Sequence, residues 1–109
     1  GMRFYRYLYV GETVRNVAKI KWKLKSHAGT NVYLIALAAG ADQLEIFHSA
    51  YLKQPYFRYH PPVVIGIAGS HDEAVDLVVT ITRECLLHTG NCNLKEYLKQ
   101  KTGRKRSGE

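Results

Sequence analysis

Two cysteines and a histidine lie within eight positions of the chain, as Cys85, His88 and Cys92. Thiolate and imidazole are the common zinc ligands, and Cys85 and His88 would lie one helical turn apart. A structural zinc site shows four ligands in recognisable pairs, however, and no second pair is present here. Cys85 also falls on the apolar face of a predicted helix, where a free cysteine packs as a small hydrophobe. We therefore expect two free thiols, no metal and no cofactor.

Acid and base chemistry has one candidate grouping. The five histidines are scattered along the chain, and none of the serines lies in the elbow motif of a serine hydrolase. The grouping that we consider further is His48 with Glu45 and Ser49, which lie close to it in sequence. Histidines outside a motif are weak indications of catalysis. We predict no catalytic residue and keep an enzyme that uses His48 and Glu45 as an alternative.

The segment Gly66–Ser70 joins a β-branched run to an amphipathic stretch, which is where phosphate-binding loops occur. It lacks the lysine and the spacing of a P-loop, and it does not fit the dinucleotide fingerprint. Asp72 and Glu73 would repel an anion from the helix start. Ser70 followed by Glu73 is instead the pattern of a capping box, so the pattern predicts a helix N-terminus and no anion site.

Basic and aromatic residues alternate in several segments, an arrangement typical of surfaces that stack and neutralise single-stranded nucleic acid. One such cluster spans residues 51–60, and the tyrosines of the first strand form another. Tyrosine is also a good strand former that covers a half-buried face, so a purely structural role stays open. The candidate nucleic-acid-binding or anion-binding residues are Lys19, Lys21, Lys23, Lys25, Tyr5, Tyr7, Tyr9, Arg58, Arg104, Lys105 and Arg106.

Positive charge is concentrated in two blocks of this chain of 109 residues, whose formal net charge is +7. Residues 12–28 carry five bases against one acid, residues 99–109 carry five against one, and the remainder sums to −1. This local basicity indicates a polyanion or a protein as partner. The longest apolar run, 32–39, is too short to span a membrane, and no apolar leader is present, so we expect a cytoplasmic protein.

Hydrophobic periodicity predicts strands at 3–10, 31–39, 44–47 and 63–67, and helices at 13–28, from about 71 to 88, and at 93–101. Two segments are ambiguous. Residues 19–25, read here as helix, also alternate lysine with apolar side chains and could instead be a hairpin arm. Residues 51–60 are helical at first and then irregular around Pro55.

This order predicts a small α/β (α+β) domain with a sheet of three to five strands. We expect two main helices packed chiefly on one face, a ferredoxin-like variant that lacks the last strand, and a short C-terminal helix. The single domain is predicted to span 1–101, followed by a disordered basic tail at 102–109.

A fold class assigns no activity, so function must come from the surfaces. We expect a small, cytoplasmic, non-catalytic binding or regulatory protein that binds a polyanion or another protein. Nucleic-acid binding through the basic helix, the tail and exposed tyrosines is the first alternative, and the enzyme of His48 and Glu45 is the second. Tyr5, Tyr7 and Tyr9 form more apolar surface than the predicted helices would cover, so we also expect a homodimer.

Overall fold

A computed structural model describes residues 2–38 and 40–99. Its centre is a mixed, four-stranded sheet in the spatial order β1-β4-β2-β3. The nearly continuous apolar run of β4 suits this central position, where it pairs in parallel with β1 and antiparallel with β2. The strands are β1 (Arg3–Val10), β2 (Tyr33–Leu37), β3 (Leu44–His48) and β4 (Val63–Ala68).

The ambiguity at residues 19–25 is resolved in favour of a helix. Asn16 caps this helix, because its side-chain oxygen accepts a hydrogen bond from the Lys19 N–H at 3.2 Å. The segment that the sequence left undecided, residues 51–60, falls in a 3₁₀ turn at Ser49–Lys53 and a short helix at Pro55–Tyr59. The helices are α1 (Val17–Ser26), α2 (Pro55–Tyr59), α3 (His71–Thr89) and a fourth, α4, that includes residues 94–99.

Helices cover both faces of the sheet, which differs from the predicted arrangement. Leu24 of α1 joins a core cluster with Leu34 and Ile67, whereas α3 and α4 join a second cluster with Ile35 and Ile65. Alternate residues of a strand point to opposite faces, so these clusters lie on opposite sides of the sheet. The ferredoxin-like detail is therefore not confirmed. The physical reason is that β2 and β4 are apolar on both faces and need cover on both.

Candidate anion-binding surface

The four lysines predicted from the sequence all lie on α1 and are held by its packing on the sheet. Leu24 is buried and Ile20 packs against the same cluster, which fixes the orientation of the helix. Lys21 and Lys25 each place their Nζ atom 5.5 Å from the centre of the Phe4 ring. Such cation–π contacts localise a charge without neutralising it. These lysines therefore remain available to an anionic partner.

Four aromatic side chains are exposed on α1 and on the segment that precedes β4. Trp22, on α1, is 64% exposed and Tyr59, on α2, is 75% exposed. The ring of Tyr56 stacks on His60 at 4.5 Å with only 15° between the planes, forming a flat surface. Phe57 turns inward and stacks on Phe47 of β3 at 5.3 Å. The exposed set is Trp22, Tyr51, Tyr56 and Tyr59.

We call residues 13–31 and 49–62 the basic layer, because they cover the same face of the sheet and contain no Asp or Glu. The two segments meet at α1 and α2, whose side chains line one common groove. The opposite layer differs in charge, since α3 carries four carboxylates and a single arginine. The seven bases of the basic layer are Arg15, Lys19, Lys21, Lys23, Lys25, Lys53 and Arg58.

The groove between α1 and α2 is a cavity of about 780 Å³ with an apolar floor and a cationic rim. Leu24, Leu52 and Phe57 contribute to the floor, while Lys25 and Arg58 contribute to the rim. A smaller cavity of about 240 Å³ shares part of this lining and extends toward the end of β3. Sequence reasoning missed the groove, because it joins residues that lie about thirty positions apart.

Two of the three strand tyrosines belong to the opposite side of the sheet, beneath α3 and α4. The Tyr5 hydroxyl donates to the Leu98 carbonyl at 2.8 Å, and the Tyr9 hydroxyl donates to Glu84 at 2.6 Å. Burial, and then the Glu84 carboxylate, raise the pKa of Tyr9. These contacts favour the structural role of Tyr5 and Tyr9, which the sequence left open, over an exposed stacking surface. Tyr7, also half-buried, lies edge-on to Tyr5 with 6.0 Å between the ring centres.

The structure does not bring His48 and Glu45 together. They lie three residues apart on β3, so their side chains point to opposite faces of the sheet. Both ring nitrogens of His48 are already engaged. Nδ1 accepts from the Ala50 N–H at 3.0 Å, so Nε2 carries the proton and donates to the Asn31 side-chain oxygen at 2.8 Å. Ser49 is buried and donates to the Thr30 carbonyl at 2.7 Å.

The Gly66–Ser70 turn is a helix cap, as the sequence predicted. The Ser70 hydroxyl accepts from the Glu73 N–H at 3.1 Å. The Glu73 carboxylate in turn accepts from the Gly69 N–H at 2.7 Å and from the Thr13 hydroxyl at 2.7 Å. These hydrogen bonds, led by that from Gly69, hold the pKa of Glu73 below its usual value. Glu73 thus occupies the position where an external anion would bind.

Cys85, His88 and Cys92 do not converge on a common point. Cys85 is buried in the core, Cys92 is exposed, and His88 stacks on Tyr97 at 5.6 Å. Within residues 2–38 and 40–99, no group of three or more His, Cys, Asp or Glu side chains is placed to hold a metal ion. The candidates Arg104, Lys105 and Arg106, with the predicted tail at 102–109, lie outside the described residues.

Known proteins suggest no function for this chain, so a function has to be inferred from this geometry. A scan against protein-family models and searches of curated proteins and solved structures found no match. In the part of the chain that the structure describes, no helix combines the length and apolar character required to cross a bilayer.

Proposed function

We propose that the protein is a non-catalytic binding protein that holds single-stranded nucleic acid on the basic layer. One observation carries this proposal: seven bases and four exposed aromatic side chains share a layer whose sequence has no carboxylate. Phosphates would be neutralised by the lysines, and bases would stack on the aromatic rings. The proposal includes a cytoplasmic location, where Cys85 and Cys92 would stay reduced.

Trp22 is the exposed aromatic residue of this proposed surface that lies among the lysines of α1. Lys19 and Lys25 lie three residues before and after it on α1, so the indole is flanked by charge along one helix face. This is the interleaving that single-strand binding requires, because each nucleotide presents one phosphate and one flat base. The sequence contained the signal, since Trp22 is the only tryptophan and stands in a run of lysines.

An anionic membrane is the competing partner for a basic surface with exposed aromatics. A helix that lies in a membrane interface inserts aliphatic side chains alongside its aromatic ones. On the basic layer the exposed large apolar side chains are aromatic only, whereas Val75, Val79, Leu86 and Leu87 are exposed on the acidic helix α3. Aromatic faces without aliphatic neighbours favour base stacking over insertion.

The test is the affinity of the full chain for a mixed-sequence single strand of RNA or DNA, measured by fluorescence anisotropy. Trp22→Ala and Tyr59→Ala each remove a stacking surface, and loss of one stacked base costs about 1–3 kcal/mol. We therefore expect Kd to rise about 5-fold to 150-fold for each variant. Leu87→Ala is the matched control, because Leu87 is 78% exposed but lies on α3.

Two results would overturn the proposal. One is equal binding by the wild type, Trp22→Ala and Tyr59→Ala. The other is retention on phosphatidylserine vesicles without binding to the single strand, which would assign an anionic membrane surface as the partner. Loss of stability does not confuse the test, because all three substituted side chains are exposed and surface substitutions change stability by only about 0.5 kcal/mol.

A further inference from the structure

We infer that the groove between α1 and α2, which includes three bases of the basic layer in its lining, is also a binding site for a small organic anion with an apolar body, such as an acyl carboxylate or an alkyl phosphate. The groove volume of about 780 Å³ falls within the range of small-molecule sites, roughly 300–1,000 Å³. This site goes beyond the proposed nucleic-acid surface, since it would hold one ligand in a cavity. The ligand would contact the lining of the groove and not the exposed rings.

The floor of the groove requires an apolar ligand body. Leu24 and Leu52 contribute to it and are themselves almost fully buried, so the floor is part of the core surface. Phe57, Met2 and Pro62 extend the apolar lining. A phosphate chain lying across the groove would leave this apolar surface exposed to water, whereas an apolar ligand body would cover it favourably.

The rim of the groove requires a negative charge on the ligand. Lys25, Lys53 and Arg58 all line it, and the described lining residues include no Asp or Glu. Lys25 is additionally held with its Nζ atom 5.5 Å from the centre of the Phe4 ring, which restrains its ammonium group. Three cations above an apolar floor are complementary to a ligand with one acidic head and one apolar body.

His27 lies at the junction of the groove and the adjoining smaller cavity. It ends α1 in the left-handed conformation with φ of 61°, and its backbone N–H bonds to the Lys23 carbonyl. Glycine is the usual residue at this position, because it has no Cβ to be strained in the left-handed conformation. A histidine kept in a strained conformation beside a cavity supports a role in binding.

The experiment compares the binding of four ligands to the full chain, using the amide chemical shifts of the protein in an NMR titration. Each ligand is kept below its critical micelle concentration. Decanoate and decyl phosphate should both shift residues 24–27 and 52–58, and the tighter of the two identifies the preferred head group. Decanol and decyltrimethylammonium, which lack the negative charge, should bind at least about tenfold more weakly. Decanol binding as tightly as decanoate, or shifts that map elsewhere, would overturn the inference.

Two variants test the groove itself. Arg58→Glu should weaken decanoate binding about tenfold or more, whereas the matched reversal Arg83→Glu on α3 should leave it unchanged. Gln54→Trp should block the groove without changing its charge, and the Gln54 side chain makes no cap hydrogen bond that this change would remove. Unchanged decanoate binding by Arg58→Glu and Gln54→Trp would contradict the inference.

Failure of this inference can be told apart from failure of the proposed function. Lys19 does not line the groove, so Lys19→Glu should weaken single-strand binding and leave decanoate binding intact. Gln54→Trp should weaken decanoate binding and keep the salt dependence of single-strand binding, because it changes no charge of the basic layer. A protein that binds the single strand but not decanoate would contradict the groove site and leave the proposed function intact.

Discussion

At the scale of single residues, Glu73 is the most connected polar side chain of the turn region. Its carboxylate accepts from the Gly69 N–H and from both the N–H and the hydroxyl of Thr13. It therefore joins the start of α3 to the loop that follows β1. Two glycines make room for it, because a Cβ on Gly11 would overlap the carboxylate and a Cβ on Gly69 would overlap the Thr13 hydroxyl oxygen.

We predict that Gly69→Ala destabilises the fold by about 1–3 kcal/mol, the usual cost of overpacking. The added methyl group must displace Thr13 and so break its bond to Glu73. Gly29→Ala is the control, because a Cβ at Gly29 meets no atom within 4 Å. Urea unfolding of both variants measures the difference. Equal midpoints for the two would show that the Thr13–Glu73 contact contributes nothing.

At the scale of elements, α4 is held by partners from distant parts of the chain. The Asp42 carboxylate, in the turn between β2 and β3, accepts from the Leu94 and Lys95 N–H groups at 3.1 and 2.8 Å. Tyr5 bonds to the Leu98 carbonyl from the other side. These contacts explain why the tyrosine face of β1 is covered, and they span up to 93 positions in sequence.

The Tyr9–Glu84 bond between β1 and α3 predicts a loss of stability at alkaline pH. The folded-state pKa of Tyr9 is raised, first by burial and then by Glu84, above the unfolded value of about 10. The stability that protonated Tyr9 contributes to the fold is therefore fully present below a pH of about 10. It decreases as the pH rises further, because the unfolded chain then loses this proton before the folded protein does.

Urea unfolding at a series of pH values measures this effect. Tyr9→Phe should lose less stability than the wild type above a pH of about 10. Part of the loss should remain, because the pKa of Tyr97 is also raised. Tyr59→Phe is the matched control, because it removes the same hydroxyl group from an exposed side chain that takes no part in this hydrogen bond. Identical pH profiles for the wild type and Tyr9→Phe would refute the role given to this hydrogen bond.

Local patterns predicted the elements better than their arrangement. The β-branched run of β4 and the Ser70–Glu73 cap are local features, and the structure confirms both. Residues 19–25 fit two periods equally well, and the Asn16 cap was the local signal for a helix that the sequence analysis did not use. Which face of the sheet α1 covers depends on the spatial order of the strands, and no local pattern specifies that order. The groove between α1 and α2 likewise depends on how these helices are arranged on the sheet.

At the scale of the whole molecule, charge is separated between the two layers. The sequence showed a basic block at residues 12–28, and the fold adds Lys53 and Arg58 to it across the groove. The homodimer stays a prediction. Its proposed interface has lost support, because Tyr5 and Tyr9 are hydrogen bonded within the fold.

The separation of charge predicts how salt acts on the proposed nucleic-acid binding. Each phosphate contact on a single strand contributes about 0.7 to the slope of log affinity against log salt concentration. Removing two charges of the basic layer with Lys19→Gln and Lys23→Gln should therefore flatten the slope by about 1.4. The double variant Arg83→Gln and Lys95→Gln removes equal charge from the opposite layer and should leave the slope unchanged.

Trp22→Ala separates the two contributions to binding in the same titration. Stacking releases no counterions, so this variant should lower the affinity at every salt concentration and keep the wild-type slope. A slope that falls with Trp22→Ala would mean that the indole only positions Lys19 and Lys25, its neighbours on α1. An affinity that does not respond to salt at all would exclude a polyanion as the partner of the basic layer.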